Sequence, residues 1–577
     1  MNFFTDNQDL QHHFRHAVAW ERFVPGWERG FGQPEGPSSL QEARELYESS
    51  LTEAGAFVAR EVAPRARAID EKGVGFVDGE VTHPPELLQG VDGLRRLGLT
   101  GMSLPREVGG ANFPLTAGAM FMEGLSRACT NTLILYAFHQ GPAFMVLRCG
   151  TPDQVERWVR PLGAGAITGA VAMTEPEAGS DVGALSMSAV EEGGRWRLHG
   201  RKQFITNGCG DVCIVLARSQ KGSSGLDGLS LFVVPRRMDG RANYTVARPE
   251  KKSVIRGSAT CELHFDGSCA ELLGGPGRGW EYILSFMNEA RLTVAIQGLG
   301  IAEAAARAAR TYAEQRVQMG RPIARHEMVA DLLLDMEAEV AGLRALVYRC
   351  TALQDEIVGL ERTGGGAEKV RRLKRALRER TPLVKWLGSE RPLWVARSAV
   401  QVHGGYGVVQ EYDVERHYRD ALILPIYEGT SQIQALMSLK DQMGWALAAP
   451  WRLLAGPLQV EVPHGPQGDG VRDLAAEYGR ALRYVLRAGV GLGPLAAAAW
   501  RRRPPGREHL GYALLHAERL ASILASTRAA EALVSAAAGS AERGKVAERY
   551  LRRALAHARM EAEIVCSGDR STLEALA

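Results

Sequence analysis

Across 577 residues there are only eight cysteines, and they are scattered. Cys209 and Cys213 are the closest pair, and neither a second pair nor a histidine cluster completes a zinc site. They read as reduced thiols with structural roles, the usage of a cytosolic protein. Neither sign of charge is in real excess. Lys and Arg number 69 and Asp and Glu 66, and a net +3 calls globally for neither nucleic acid nor an anionic membrane. No apolar run reaches the length of a membrane span. The opening Met1 to Asp9 is polar and acidic, which is not a signal peptide, so the expected location is cytoplasmic. There is no P-loop and no glycine fingerprint between a strand and a helix, which argues against the nucleotide folds that use them. What is present is an ordinary soluble composition, 45% hydrophobic and 23% charged, on a chain too long for one core.

The order of periodicities divides the chain. Residues 1–40 carry Trp20, Phe23, Trp27 and Phe31 among Gly and Pro without a sustained period, and predict an extended or short-helical arm. Residues 41–166 predict a helical domain, with a break at Pro64 and a pair of buried helices over Leu115 to Cys149. Over residues 167–280 the runs shorten to strand length. Ala259, Cys261, Leu263 and Phe265 alternate with Thr260, Glu262 and His264, and Glu191 to Gly194 reads as a hairpin turn. Strands without intervening helices predict a compact antiparallel barrel or sandwich. Residues 281–447 return to helical spacing. Trp280 to Met319 reads as one long helix, and Pro382 predicts a fresh start near Thr381 in the segment Lys369 to His403, so a bundle is expected. A Pro/Gly-rich linker over Pro450 to Gly470 then leads into a last helical part of an extension over residues 448–577.

Four polar stretches interrupt this pattern. Tyr427-Glu428-Gly429-Thr430-Ser431-Gln432 sets a carboxylate between an aromatic ring and a glycine. In apolar surroundings such a Glu is pushed toward the pKa of a general base. By itself it reads equally as a Glu in the first turn of a helix. Met173-Thr174-Glu175-Pro176 to Ser180-Asp181 concentrates polar groups in a turn after a strand, and a structural loop explains it as well. Gln203-Phe204-Ile205-Thr206-Asn207-Gly208 joins a planar ring, a hydroxyl and an Asn-Gly turn, with plain core as the alternative for Phe204. Gln401-Val402-His403-Gly404-Gly405 closes a helix with glycines, as a simple helix stop also would.

Taken in this order, these segments resemble the acyl-CoA dehydrogenase family of flavoproteins over roughly residues 40–445. The chain looks most like the larger members, with an N-terminal arm and a C-terminal helical extension. The resemblance implies a mainly α fold with a central antiparallel β-domain, in the order helical domain, β-domain, four-helix bundle, extension. It implies FAD as cofactor and an acyl-CoA substrate. Glu428 matches the catalytic base, which removes the α-proton of the thioester while the β-hydrogen leaves as hydride to the flavin, giving the trans-2-enoyl-CoA. The enolate would be stabilised by the base's own backbone N–H and a ribityl hydroxyl. Met173, Thr174 and Thr206 match contacts to the isoalloxazine, and Phe204 stands where the family usually has Trp. Ser180, Asn288 and Arg291 match the CoA site, and Gly429 the substrate side of the base. Arg316 and Gln318 match a segment reaching the FAD of a neighbouring subunit, with Met319 for the usual Phe; Gln401, Gly404 and Gly405 match the stretch at that FAD's pyrophosphate. Thr430 and Gln432 match FAD contacts after the base. Some members carry the base just before the arginine that Arg291 matches; here that position is Ala290, and Glu289 reads as a surface or capping charge.

Electron-transferring flavoprotein is the implied electron acceptor. A cofactor site shared between subunits implies a homo-oligomer, and an extension covering the tetramer surface of smaller relatives points to a dimer. Two other functions fit the same residues. Residues 471–577 hold 17 Lys and Arg against 11 Asp and Glu, with Arg501, Arg502 and Arg503 in a row, which fits nucleic acid or a membrane surface as well as a solvated bundle. An acyl group on a carrier protein would also satisfy the motifs. Chain length and branching of the acyl group depend on packing in Leu133 to Phe144 and Ser285 to Val294.

Overall fold

The computed structural model describes residues 1–448, 458–490 and 507–576. The linker read over Pro450 to Gly470 lies outside the described residues as far as residue 457, and Arg501 to Arg503 lie outside them altogether. The chain forms two compact units, Met1–Asn7 with Arg44–Thr293, and Gln8–Ala43 with Val294–Ala577. Among the described residues no helix is long and apolar enough to cross a membrane.

The first unit joins a helical part to a sheet. Helix α1 (Leu40–Phe57, in this unit from Arg44) is followed by α2 (Pro85–Arg96), α3 (Leu115–Ala128) and α4 (Thr130–Cys149). The last two are the buried pair that the apolar run predicts. The seven sheet strands are β1 (Gly169–Ala172), β2 (Ser188–Glu192), β3 (Arg195–Thr206), β4 (Val212–Arg218), β5 (Leu229–Pro235), β6 (Thr245–Pro249) and β7 (Thr260–Leu273). Gly193 and Gly194 both have positive φ, 58° and 74°, and close the β2–β3 hairpin where the sequence reads a turn. Pairings run β3–β2–β4–β5–β7 and back to β3, so the strands form a closed circuit with β6 and β1 attached. Five of the seven pairings are antiparallel. β1 and β2 each lie parallel to β4. No local turn records a parallel neighbour, so period alone could not show it. β4 and β5 are apolar on both faces for a physical reason. Val212, Ile214, Leu216, Leu231 and Val233 pack with Ala143 and Val146 of α4, while Cys213, Val215, Phe232 and Val234 fill the interior with Leu263 and Phe265 of β7.

The second unit is helical. Helix α5 (Gly279–Gln315, in this unit from Val294), α6 (Glu327–Arg362), α7 (Ala367–His403) and α9 (Ser431–Ala448) are the long elements before the extension, with the short α8 (Val414–Ala421) between the last two. Two sequence expectations need correction here. Helix α5 stops at Gln315, not Met319; Val317–Gln318 and Arg321–Pro322 pair as a hairpin, with Met319 (φ 49°) and Gly320 (φ 78°) as its turn. Helix α7 runs unbroken through Pro382 and Pro392. The cost of an internal proline is local, whereas α7 is packed along its length against α6, α9 and α12. At Pro392 the carbonyl released four residues earlier is that of Gly388, and a Cβ at Gly298 of α5 would lie 2.0 Å from that oxygen. Only glycine lets α5 approach there.

The extension comprises α10 (Pro466–Val490), α11 (Arg507–Leu515), α12 (Ala517–Ala536) and α13 (Ala541–Cys566). Helix α12 packs on α6, α7 and α9, burying Leu520, Ile523 and Leu524. Several of its arginines and of those of α13 meet carboxylates. Arg528 pairs with Glu379 at 2.7 Å, Arg549 with Asp335 at 2.6 Å and Arg553 with Glu339 at 3.3 Å. The N-terminal arm adds short helices to the same unit. The arm's Asp9 pairs with Arg344 of α6, which also holds Glu303 of α5 at 2.7 Å.

Candidate active site

Each unit carries a set of the residues singled out by sequence. In the first, β1 runs out at Ala172, and Met173 and Thr174 follow beside β3. Two bonds fix them there. Lys202 Nζ donates to the Met173 carbonyl at 2.7 Å, and Gln203 N–H donates to the Thr174 carbonyl at 2.9 Å. Lys202 is fully buried and pairs with Glu175 at 2.9 Å. Glu175 accepts further bonds from Ser186 N–H (2.8 Å), Ser186 Oγ (2.9 Å) and Met187 N–H (3.1 Å). Burial pushes the Lys202 ammonium down to about 8. Burial alone would raise Glu175, but Lys202 overrides it and holds the carboxyl below its ordinary value. The sequence marked Glu175 only as part of a polar turn and did not mark Lys202.

Phe204 is the unusual member. Its ring is 62% exposed and its φ is +59°, a left-handed backbone that costs a bulky residue on the order of 1 kcal/mol or more. It is therefore not plain core. Thr206, two residues on, is half-buried, and so is Thr174, whose carbonyl accepts from the N–H of the neighbouring Gln203. A solvent-facing ring, two hydroxyls and a main chain fixed by a buried ion pair fit one face and edge of a flat heteroaromatic such as an isoalloxazine.

Ser180 is exposed, between the Glu175–Ala178 turn and a short 3-10 turn at Val182–Ala184. On the first turns of α5, Arg291 is buried and its Nη1 donates to Oδ1 of the exposed Asn288 at 2.8 Å. Glu289 is neither a cap nor a loose surface charge. It forms an ion pair with Arg148 of α4, whose Nη1 also donates to Ser285 Oγ at 2.6 Å. Its partner Arg148 lies 141 residues earlier in the sequence.

In the second unit, Glu428 lies in a tight turn ahead of α9. Its φ is +54° and that of Gly429 +88°. It is thus not the first-turn Glu of a helix; Thr430 caps α9 instead, its Oγ1 accepting from Ile433 N–H at 3.3 Å. The turn is tied from several sides. Gln434 Nε2 donates to the carbonyls of Glu428 (3.3 Å) and Gly429 (3.0 Å), and Ser431 N–H donates to Pro425 O at 2.9 Å. Lys385 Nζ and Ser389 Oγ, both buried in α7, donate to Leu424 O at 2.7 and 2.9 Å. The Tyr427 hydroxyl hydrogen-bonds Gln297, and burial raises its pKa far above the ordinary phenol value. Gln432 is exposed, and its amide donates to Glu518 of α12 at 3.3 Å.

Arg316 and Gln318 stand exposed on the hairpin after α5, with the Arg316 guanidinium 5.9 Å from the Tyr406 ring centre. Gln401, Gly404 and Gly405 are exposed at the end of α7. His403 between them is buried, stacked on Tyr312 at 4.3 Å, with Nδ1 2.8 Å from Ala399 O. Burial lowers its pKa. It is a packed helix-end histidine.

Comparison with known proteins agrees with this arrangement. Family models for the acyl-CoA dehydrogenase N-terminal, middle and C-terminal domains match residues 45–166, 170–268 and 277–442. The human mitochondrial short-chain specific acyl-CoA dehydrogenase is 34% identical over 369 residues, 63% of this chain and 83% of that protein. Butyryl-CoA dehydrogenase of Megasphaera elsdenii is 30% identical with a TM-score of 0.60, covering 70% of this chain and 98% of its own. An acyl-CoA dehydrogenase of Bacillus anthracis, solved with FAD, shares the fold over 98% of this chain and 93% of its own, extension included, at TM-score 0.74 and 22% identity. The chain belongs to the acyl-CoA dehydrogenase family of FAD-dependent oxidoreductases.

Proposed function

We propose that this protein oxidises an acyl-CoA thioester to its trans-2-enoyl-CoA, with Glu428 as the base. The observation carrying this reading is the turn at Tyr427–Gly429, where a carboxylate is held in left-handed backbone by Gln434 and flanked by a half-buried, hydrogen-bonded Tyr427. Strain of that kind, fixed by surrounding bonds, is kept where a side chain must be aimed. Glu428 takes the α-proton, whose weak acidity demands a base already in place. FAD, when bound, supplies the acceptor for the hydride from the β-carbon. Thr174 and Thr206 would offer hydrogen bonds to the flavin, and the exposed Phe204 ring would pack against it. Thr430 and Gln432 hold the cofactor beyond the base. Ser180, Asn288 and Arg291 receive the CoA portion, and Gly429 leaves room for the thioester.

Arg316, Gln318, Gln401, Gly404 and Gly405 are proposed to hold the cofactor of a second copy. Exposed apolar side chains in the same segments support such an association: Val317, Met319, Tyr406 and Val408 face solvent. Helix α12 covers α6, α7 and α9, which favours a dimer over a larger ring. Reducing equivalents are proposed to pass to an electron-transferring flavoprotein, in the cytoplasm.

The test is anaerobic mixing of the flavin-loaded protein with a panel of acyl-CoAs of varied length and branching, followed at the flavin absorbance band, beside Glu428→Gln. The expected result is bleaching of the wild type by some acyl-CoA, and binding without bleaching by the variant. A wild type that no thioester bleaches, CoA-bound or carrier-bound, would overturn the reading; a variant that bleaches at the wild-type rate would remove Glu428 from it.

A further inference from the structure

We infer that the C-terminal extension takes part in cofactor retention, with Glu518 of α12 acting as the positioning residue for Gln432. The inference rests on the reading above that Gln432 contacts FAD.

Glu518 bridges two donors. One of its carboxylate oxygens accepts from Trp386 Nε1 at 3.2 Å, and the other from Gln432 Nε2 at 3.3 Å. The two donors differ in kind. Trp386 is buried in α7, so its indole N–H is a fixed point. Gln432 is exposed, on the first turn of α9. A carboxylate anchored by the first therefore orients the second.

Glu518 is itself held firmly. It lies in the first turn of α12, where a negative charge is favoured by the helix dipole. Ten residues on, the buried Arg528 locks the same helix to α7 through Glu379 at 2.7 Å, with Glu531 at 2.8 Å. The neighbouring Arg519 pairs with Glu561 of α13 at 3.3 Å, leaving Glu518 to its two donors. A free glutamine side chain gives up rotamer freedom when it grips a ligand. Glu518 removes part of that cost in advance, and it points the amide at one place.

The experiment uses the full-length, FAD-loaded protein. Release of FAD on dilution is read by the rise in flavin fluorescence, and thermal unfolding is read separately by circular dichroism. Variants are Glu518→Ala, Gln432→Ala, the double variant, and Trp386→Phe. Glu518→Ala is expected to raise the FAD dissociation constant about three- to tenfold, the net worth of one ordinary hydrogen bond, since the effect is passed on through the Gln432 amide. The double variant is expected to match Gln432→Ala alone, because the effect of Glu518 passes through that amide. Trp386→Phe removes the anchor's N–H together with part of a buried ring, and is expected to change FAD release less than Glu518→Ala. Should Glu518→Ala fail to fold, Glu518→Gln preserves shape and one acceptor, and is expected to weaken FAD in the same direction by less. If Gln432→Ala weakens FAD while neither Glu518 variant does, the inference is wrong and the cofactor reading of Gln432 stands. If the two single effects add, Glu518 acts through bulk packing and the inference is again wrong. If Gln432→Ala leaves FAD binding unchanged, the underlying reading of Gln432 fails and the inference falls with it.

Discussion

Lys202 and Glu175 form an ion pair at 2.9 Å with both side chains buried, and the same ammonium holds the Met173 carbonyl. This one nitrogen connects β3 to the segment that carries Thr174. Lys202→Met leaves Glu175 buried without its counter-charge, so a loss of about 3–5 kcal/mol in unfolding stability is expected. The lost bond to Met173 O should also broaden the flavin absorbance fine structure in whatever fraction folds. Glu175→Gln keeps the shape and the Ser186 side of the network, and is expected to cost less. Equal stability of Lys202→Met and wild type in urea titration would show that the pair does not hold this edge.

Phe204 offers a test in which stability and cofactor binding move apart. Glycine has no penalty at φ +59°, so Phe204→Gly should leave the melting temperature of the apoprotein unchanged or raised. Removal of the ring should at the same time weaken FAD about tenfold, as judged from fluorescence on dilution. Phe204→Trp should keep FAD near the wild-type level. A Phe204→Gly protein that both melts lower and holds FAD normally would mean that the ring packs on protein.

Acid should loosen the second unit in two steps. His13 is buried against Tyr348, ring centres 5.2 Å apart, and burial holds its pKa down to about 4. The unfolded chain takes up this proton near 6.5, so its contribution is full above pH 6.5 and is lost as pH falls toward 4. A shift of that size is worth about 3 kcal/mol. Burial works to raise Glu303, but Arg344 and Arg307 override it and bring the carboxyl to about 2. Its contribution is full above the ordinary carboxylate range and is lost as pH falls toward 2. The urea midpoint should therefore drop first between pH 6.5 and 4, then again below 4. Burial also holds His417 and His516 of the same unit below the ordinary histidine value, so His13→Phe should shrink the first drop and leave the second. A first drop as large in that variant as in the wild type would assign it to those other histidines.

Local chemistry was what the sequence made legible. Gly193-Gly194 could only close a hairpin, and the alternation from Ala259 to Phe265 could only be a half-buried strand. The order of helical and strand-like stretches carried the fold class, and the motif residues from Met173 to Gln432 fell on exposed or half-buried positions, the buried Arg291 excepted. What stayed hidden depended on partners far along the chain. The parallel neighbours of β4 have no turn to announce them. Pro382 and Pro392 are tolerated because packing outweighs a local cost. Nothing local marks Lys202, because its partner Glu175 lies 27 residues earlier. The motif picked out Glu428, but its left-handed backbone comes from Gln434 and from Lys385 and Ser389 behind the turn.

Four residues other than glycine with positive φ fall within the motif stretches: Phe204, Asn207, Met319 and Glu428. At three of them, Phe204, Met319 and Glu428, a glycine would make the chain easier to fold. Laboratory evolution of this protein for heat resistance alone would consequently drift toward glycine at those positions, and the survivors would be robust, colourless and inert. A library screened for retained yellow colour and acyl-CoA bleaching at every round would keep them, and the rate at which they are lost without that screen would measure how much folding stability this family member gives up for its chemistry.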